Sequence, residues 1–303
     1  MKDLIIIGAG PAGLSAAIYG KRAGLDVLVI DESGIGGGQV VTTYEVDNYP
    51  GLPNINGLDL GEAFKNHAVN CGADFMEAEV LNINKENNEF IIDTTEGVLK
   101  AKAVIAATGA KHKVLAVPGE EELQGMGVSY CATCDGAFFR KRVVAVVGGG
   151  DVALEDALFL ARGCAKVYLI HRRDSFRGAQ ILVDKVKNTE NIEILYNSKV
   201  VEIDGEDQVQ SIKVSNVLDE SNYDLAVDGI FIAVGMSPVS DAFASLVEIK
   251  DGYVVAGEDG VTNVEGFFVA GDLRTKKLRQ IITAASDGAN AATSASEYLN
   301  KML

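Results

Sequence analysis

Positive charge is scarce in this chain: 27 Lys and Arg stand against 43 Asp and Glu, a net charge of −16. Nucleic-acid binding needs a basic footprint, and this balance opposes one, as it opposes docking on an anionic membrane surface. Any anionic cofactor must therefore be held by local basic groups. Cysteine is scarce too. Cys71, Cys131, Cys134 and Cys164 are too few for a secreted disulfide scaffold of 303 residues. Long apolar runs are missing. The N-terminal run Leu4–Ile7 is broken by Gly8, Gly10, Pro11 and Gly13, which argues against a signal peptide. No stretch approaches the ~20 apolar residues of a membrane span. These absences point to a soluble protein of a reducing compartment, the cytoplasm in the simplest case, with neither membrane nor nucleic acid as partner. Glycine, in contrast, is plentiful: 33 residues, clustered in loops, as close backbone approach to phosphate-bearing ligands requires.

An internal repeat organises the chain. Residues 4–32 read LIIIGAGPAGLSAAIYGKRAGLDVLVIDE and residues 143–173 read VVAVVGGGDVALEDALFLARGCAKVYLIHRR. Each has an apolar run, a glycine loop, an alanine-rich amphipathic stretch and a second apolar run. The register matches, since Gly8 to Asp31 and Gly148 to His171 are both 23 positions. These are two β-α-β units of one design. Strand-like segments follow each, near 88–93 and 103–107, and near 192–195, 209–216 and 229–234. The expected fold class is α/β, with two doubly wound, Rossmann-like dinucleotide-binding domains. The tail holds one apolar strand at Phe267–Ala270 and a helix from Gln280, too little for a domain of its own. It is expected to return to the first domain, so that the second is inserted into it. The expected bounds are 1–113 with 243–303 for the first domain and 114–242 for the second. The crossings fall near Val114–Pro118 and Ser237–Ala242, each with a proline.

The two loops differ in the charge that follows them. Gly8, Gly10, Pro11, Ala12 and Gly13 lie between a strand and a helix start, where backbone N–H groups and the helix dipole favour a pyrophosphate. Asp31 and Glu32 end the next strand, where an acid accepts from a ribose 2′-OH. The second loop holds Gly148, Gly150, Asp151, Val152 and Ala153. At the position equivalent to Asp31 the chain reads His171-Arg172-Arg173, with Arg177 four residues on. A 2′-phosphate would be repelled by an acid and clamped by guanidinium forks. The second site is therefore expected to take NADP(H), and the first a dinucleotide without that phosphate, such as FAD.

Cys131-Ala132-Thr133-Cys134 precedes the second β-α-β unit and reads as a redox-active dithiol. Zinc would need two more ligands, and Cys71, Cys164, His67, His112 and His171 are not paired at a ligand spacing; no metal is expected. A purely structural disulfide over so short a loop constrains the unfolded chain little. Asp135 is either an acid–base group for thiol exchange or, with Gly136, only a turn or helix cap. Cys71 and Cys164 read as small core residues.

In this order the motifs resemble those of low-molecular-weight thioredoxin reductases. The likeness covers GAGPAGLSAAIY (8–19), GGQVVTTYEVDNYPG (37–51), ATGA (107–110), YCATCDG (130–136), GGGDVALEDA (148–157), HRRDSFR (171–177), FVAGD (268–272) and RQIITAASDG (279–288). The resemblance implies a homodimer in which reducing equivalents pass from NADPH through FAD to the Cys131–Cys134 disulfide and on to thioredoxin or a thioredoxin-like protein. It also implies that Cys134 faces the flavin, Cys131 attacks the partner and Asp135 handles protons. Gly38, Gln39, Asn48, Thr108, Gly109, Gly271, Asp272, Arg279 and Gln280 match family positions near FAD. The alternatives are an FAD-dependent dithiol oxidase, against which the arginine cluster argues, and a reductase of another small disulfide substrate. A ferredoxin–NADP reductase of similar build would have no use for Cys131 and Cys134.

Overall fold

The computed structural model describes residues 1–43, 46 and 48–302; Tyr44, Glu45 and Asp47 of the 37–51 block lie outside the described residues. In chain order the elements begin with β1 (Lys2–Ile7), α1 (Pro11–Arg22), β2 (Val27–Asp31), α2 (Gly57–Asn70), β3 (Asp74–Glu77), β4 (Val80–Glu86), β5 (Glu89–Thr94), β6 (Gly97–Ala106) and β7 (Ala110–His112). There follow β8 (Val128–Ser129), α3 (Ala132–Asp135), β9 (Val143–Gly148), α4 (Asp151–Ala161), β10 (Lys166–Ile170), α5 (Gln180–Lys187), β11 (Ile192–Leu195), β12 (Ser198–Gly205), β13 (Val209–Asn216), β14 (Asn222–Ala226) and β15 (Gly229–Ala233). The last are β16 (Met236–Pro238), β17 (Ile249–Lys250), β18 (Tyr253–Val254), β19 (Phe267–Val269) and α6 (Ile281–Asn300).

The chain forms two compact units, Met1–Lys111 with Ser237–Leu303, and His112–Met236. The insertion read from the tail strand is thus seen directly, with bounds that differ. The first crossing falls after 111 where 113 was expected, the second after 236 where 242 was expected. The reason for the second lies in packing. Phe243 and Val247 are buried in the first unit's core, and the Val239 N–H donates to the Gly109 carbonyl, so 237–242 belongs with the first unit. Pro238 lies inside β16, which pairs with β7.

In the first unit the sheet order is β3-β2-β1-β6-β5-β4, with β19 also on β6. β1, β2, β3 and β19 run parallel to their neighbours, and β4 and β5 add an antiparallel extension. The ten residues of β6 serve both parts: Gly97–Ala101 pairs with β5, and Val104–Ala106 with β19. Leu4, Ile5, Ile6, Val27 and Val29 are fully buried, as expected for parallel strands covered on both faces. One face packs on α1 and α6 through Leu14, Ala16, Ala17, Ala291, Ala292 and Ala295. The other holds Phe90, Phe243 and Phe267. The second unit repeats the plan with an all-parallel sheet, β11-β10-β9-β15-β8, and a separate antiparallel sheet, β12-β13-β14.

One half-buried acid in this unit has a measurable consequence. Asp156, on α4, has its carboxyl pushed up from 3.8 to about 7, first by burial and then by Glu155. The native state therefore binds a proton that the unfolded state has already lost, and stability falls as pH rises from about 4 to about 7. Asp156→Asn is expected to gain about 1–2 kcal/mol over wild type at pH 8, and nothing at pH 4, after allowance for partial solvent contact. Thermal unfolding midpoints at the two pH values check this; an equal shift at both would place the effect outside Asp156 titration.

Candidate active site

The first glycine loop joins β1 to α1. Gly8 has φ +101°, and a Cβ there would meet the Ala107 carbonyl oxygen at 2.4 Å. At Gly13 a Cβ would stand 1.8 Å from the Gly8 carbonyl oxygen, so the helix lies close on its strand. Gly10 caps α1 without a side-chain hydrogen bond, Pro11 starts it, and no acid lies in its first turn. That leaves a helix N-terminus suited to a pyrophosphate. Gly38 lies against Gly10, a Cβ on it coming within 3.1 Å of the Gly10 Cα. Asp31 braces the loop, accepting from the Ala9 N–H at 2.8 Å and from the Ser33 N–H and hydroxyl at 3.1 and 2.5 Å. Glu32 is exposed, with only a 3.7 Å ion pair to Lys111. Of the two acids, Asp31 is committed to the loop and Glu32 faces solvent.

The remaining first-unit candidates cluster by contact. Gln39 donates to the Ala110 carbonyl, and Thr108 donates to the Val239 carbonyl beside Gly109. Asn48 donates to Gln280 Oε1 at 3.1 Å, and Gln280 caps α6 reciprocally with Thr283. The Arg279 guanidinium stacks on Tyr253 at 4.2 Å, and its Nε reaches the Asp272 carbonyl at 3.5 Å. Among the described residues Asp272 Oδ1 is buried without a hydrogen-bond donor, and burial holds this carboxyl above its usual range. An orphaned buried acceptor beside a glycine loop fits a hydroxyl-bearing ligand such as a dinucleotide.

The second loop joins β9 to α4. A Cβ on Gly148 would meet the Ala233 carbonyl oxygen at 2.5 Å and Ala153 Cβ at 2.6 Å, so strand and helix again lie close. Around Gly150 the space is open, and α4 starts at Asp151 with no side-chain cap; Val152 is exposed. The arginine segment is fastened to this loop. The Arg177 N–H donates to the Gly149 carbonyl at 2.8 Å, and Asp151 Oδ1 accepts from the Ala179 N–H at 2.6 Å. His171 is buried below Gly149, with Nε2 3.0 Å from the Ser175 carbonyl. Burial lowers its pKa, as do Arg173 and Arg177. Arg172, Arg173 and Arg177 are exposed, and among the described residues none is in an ion pair. Three uncommitted guanidinium groups in so acidic a chain fit a phosphate monoester.

Cys131 and Cys134 form a disulfide, with Cα atoms 5.3 Å apart. Cys131 caps the short helix α3, and its carbonyl accepts from the Cys134 and Asp135 N–H groups at 3.2 and 3.1 Å. Sequence reasoning missed Ser129. Its hydroxyl accepts from the Cys131 N–H at 3.1 Å and donates to Asp135 Oδ2 at 2.6 Å. Burial raises the Asp135 pKa and the Ser129 hydrogen bond opposes it. Asp135 is therefore more than a turn residue: a partly buried carboxyl, tied through one serine to the backbone of Cys131. A serine two residues before a cysteine was the available signal. Glu120 was also missed. Buried, it accepts from the Leu115, Ala116 and Val117 N–H groups and from the Tyr130 hydroxyl at 2.8 Å. Cys164 is buried, its thiol pushed up to about 11 by that burial, and Cys71 is partly buried. Among the described residues no group of three or more His, Cys, Asp or Glu is placed to hold a metal ion, and no helix is long and apolar enough to cross a membrane.

Residues 2–288 match the model of the pyridine nucleotide-disulphide oxidoreductase family. The chain is 45% identical over 302 residues to a thioredoxin reductase of Listeria innocua, covering 99% of this chain and 94% of that protein. It is 42% identical to one of Bacillus subtilis, with 99% and 95% covered. Among solved structures, a thioredoxin reductase of Streptococcus pyogenes superposes with a TM-score of 0.94 at 39% identity, covering 99% of both chains.

Proposed function

The chain belongs to the pyridine nucleotide-disulphide oxidoreductase family, and on that premise we propose that it is a thioredoxin-disulfide reductase that carries FAD and is driven by NADPH. The observation that carries this reading is the Cys131–Cys134 disulfide joined through Ser129 to a carboxyl of raised pKa. The proposal assigns FAD to the first unit and NADPH to the second. Gly8, Gly10, Pro11, Ala12 and Gly13 would receive the FAD pyrophosphate and Glu32 its ribose, with Asp31 bracing the loop. Gly38, Gln39, Asn48, Thr108, Gly109, Gly271, Asp272, Arg279 and Gln280 complete that site. Gly148, Gly150, Asp151, Val152 and Ala153 would receive the NADPH pyrophosphate, and Arg172, Arg173 and Arg177 its 2′-phosphate, over His171. When bound, the two cofactors supply hydride donation and two-electron storage.

The chain's own residues then perform thiol exchange. The Cys131–Cys134 disulfide takes up two electrons and two protons and opens to a dithiol. The Cys131 thiolate attacks the partner disulfide, forming a mixed disulfide and releasing one partner thiolate, which is protonated. The Cys134 thiolate next attacks Cys131 Sγ, which closes the Cys131–Cys134 bond and releases the second partner thiol. Asp135, its carboxyl protonated to higher pH than usual, donates and recovers the proton. Thioredoxin or a thioredoxin-like protein is the partner, the assembly a homodimer and the location cytoplasmic. The test is anaerobic addition of NADPH, then NADH, to the purified full-length protein, followed by oxidised thioredoxin. Bleaching of bound flavin by NADPH, and release of two thiols per NADPH consumed, is the expected result. A protein without flavin, or one that consumes NADPH only with oxygen, would overturn the reading.

A further inference from the structure

The block Arg279–Gly288 ends in Asp287-Gly288, to which the reading above gives no task. Gly288 lies within α6, and a Cβ there would stand 2.0 Å from the Ala12 carbonyl oxygen. Glycine thus lets α6 lie against the first turn of α1, and Asp287 is carried with it into the interior. Asp287 is 4% exposed. Its carboxylate accepts from Arg274 Nε at 2.8 Å, Arg274 Nη2 at 2.7 Å, Lys276 Nζ at 2.9 Å and the Gly271 N–H at 3.1 Å. The Arg274 and Lys276 side chains are themselves 9% and 6% exposed.

Such a cluster holds together only as a unit, because removing one partner leaves a buried charge uncompensated. Two cations on one carboxylate leave one positive charge over. The second carboxylate is Asp272, whose Oδ1 lies 3.9 Å from Lys276 Nζ and has no hydrogen-bond donor. Gly271, the residue before it, has φ +78°, and a Cβ there would stand 2.9 Å from Ala12 Cβ. Asp287 therefore touches the backbone of the turn that presents Asp272, and it holds, 3.9 Å from that oxygen, the Lys276 ammonium.

We propose that Asp287 is a positioning residue for the flavin site: it pins the Gly271–Asp272 turn beside Ala12 and retains Lys276, which keeps Asp272 Oδ1 available to a hydroxyl of bound FAD. This rests on the assignment of FAD to the first unit. Without the Asp287 charge, Lys276 has the partly buried Asp272 left to pair with, and it closes on that carboxylate. A cofactor hydroxyl then competes with an ammonium for the same oxygen.

The test follows FAD release from the full-length protein as purified, by the rise of free-flavin fluorescence after dilution. Asp287→Asn is expected to speed release by about tenfold or more. Adding Lys276→Met to that variant is expected to return the release rate to within about threefold of wild type, since the competitor is gone. A purely architectural Asp287 gives a different pattern, with the double variant no better than the single one; that result, or an unchanged rate in Asp287→Asn, overturns the proposal. Should Asp287→Asn not accumulate as folded protein, Asp287→Glu keeps the charge and displaces it from Gly271, and is expected to speed release by about threefold; an unchanged rate there counts equally against the proposal. Wild-type protein purified without FAD would sink the flavin assignment itself, whereas FAD-bearing wild type with unaffected variants sinks only the role of Asp287.

Discussion

Cys131→Ser and Cys134→Ser are each expected to lower NADPH-driven thioredoxin reduction by roughly a thousandfold or more, because a two-electron thiol couple cannot run on one sulfur. The two variants should differ in what they retain. Cys134→Ser keeps the attacking thiol and loses the one that resolves the mixed disulfide, so it should trap thioredoxin as a covalent adduct that added dithiol releases. Cys131→Ser should form no such adduct. Non-reducing electrophoresis after incubation with oxidised thioredoxin reads the difference directly. Adducts from Cys131→Ser and none from Cys134→Ser would reverse the assigned roles. Folding is not at issue: both cysteines are only partly buried, and the helix that Cys131 caps and Cys134 lies in is four residues long. Ser129 and Asp135 remain in place in either variant, so the proton-handling group stays while the sulfur chemistry is removed.

What made this much of the chain legible is local. The repeat at 4–32 and 143–173 shows itself within single β-α-β units, where apolar runs, glycine spacing and strand-end charge all lie within about 30 residues. The observed β1-α1-β2 and β9-α4-β10 units follow it closely. The tail strand was legible for a negative reason: with one helix it is too little for a domain, and β19 pairs with β6 more than 160 residues earlier. Contacts between distant segments that break no local pattern escaped. Asp287 reads as one more polar residue on an alanine-rich helix, yet it joins Arg274, Lys276 and Gly271. Glu120 lies in an acidic run, Glu120-Glu121-Glu122, that looks solvated, and only Glu120 of the three is buried. Periodicity cannot tell which member of a charge run turns inward, because that depends on unpaired donors supplied by other segments, here the N–H groups of 115–117 and the Tyr130 hydroxyl. The crossings were misplaced by the same kind of blindness: Pro118 and Pro238 suggested linkers, whereas burial of Phe243 decided where the chain changes unit.

The arginine segment is expected to decide the choice of nucleotide. Arg172→Ala with Arg173→Ala is expected to lower kcat/KM for NADPH by about a hundredfold and to leave that for NADH within about threefold, since charge-assisted contacts are worth ~1.5–3 kcal/mol each. The selectivity follows from what each side chain does in the free protein. All three guanidinium groups are exposed and none is committed to an ion pair among the described residues, so removing two breaks no internal ion pair. Stability should accordingly stay within about 0.5 kcal/mol of wild type. Arg177 and His171 hold the segment in place through the Arg177 N–H to Gly149 and the packing of the His171 ring below that glycine, neither of which the double change touches. Loss of NADH activity in parallel would therefore mean that the glycine loop had moved, and unchanged preference would place the phosphate clamp elsewhere. Salt supplies an independent check. A 2′-phosphate held at an exposed cationic cluster is screened, so the wild-type preference for NADPH should shrink between low and high ionic strength. In the double variant, where little of that attraction remains, the same change of salt should leave the ratio nearly constant.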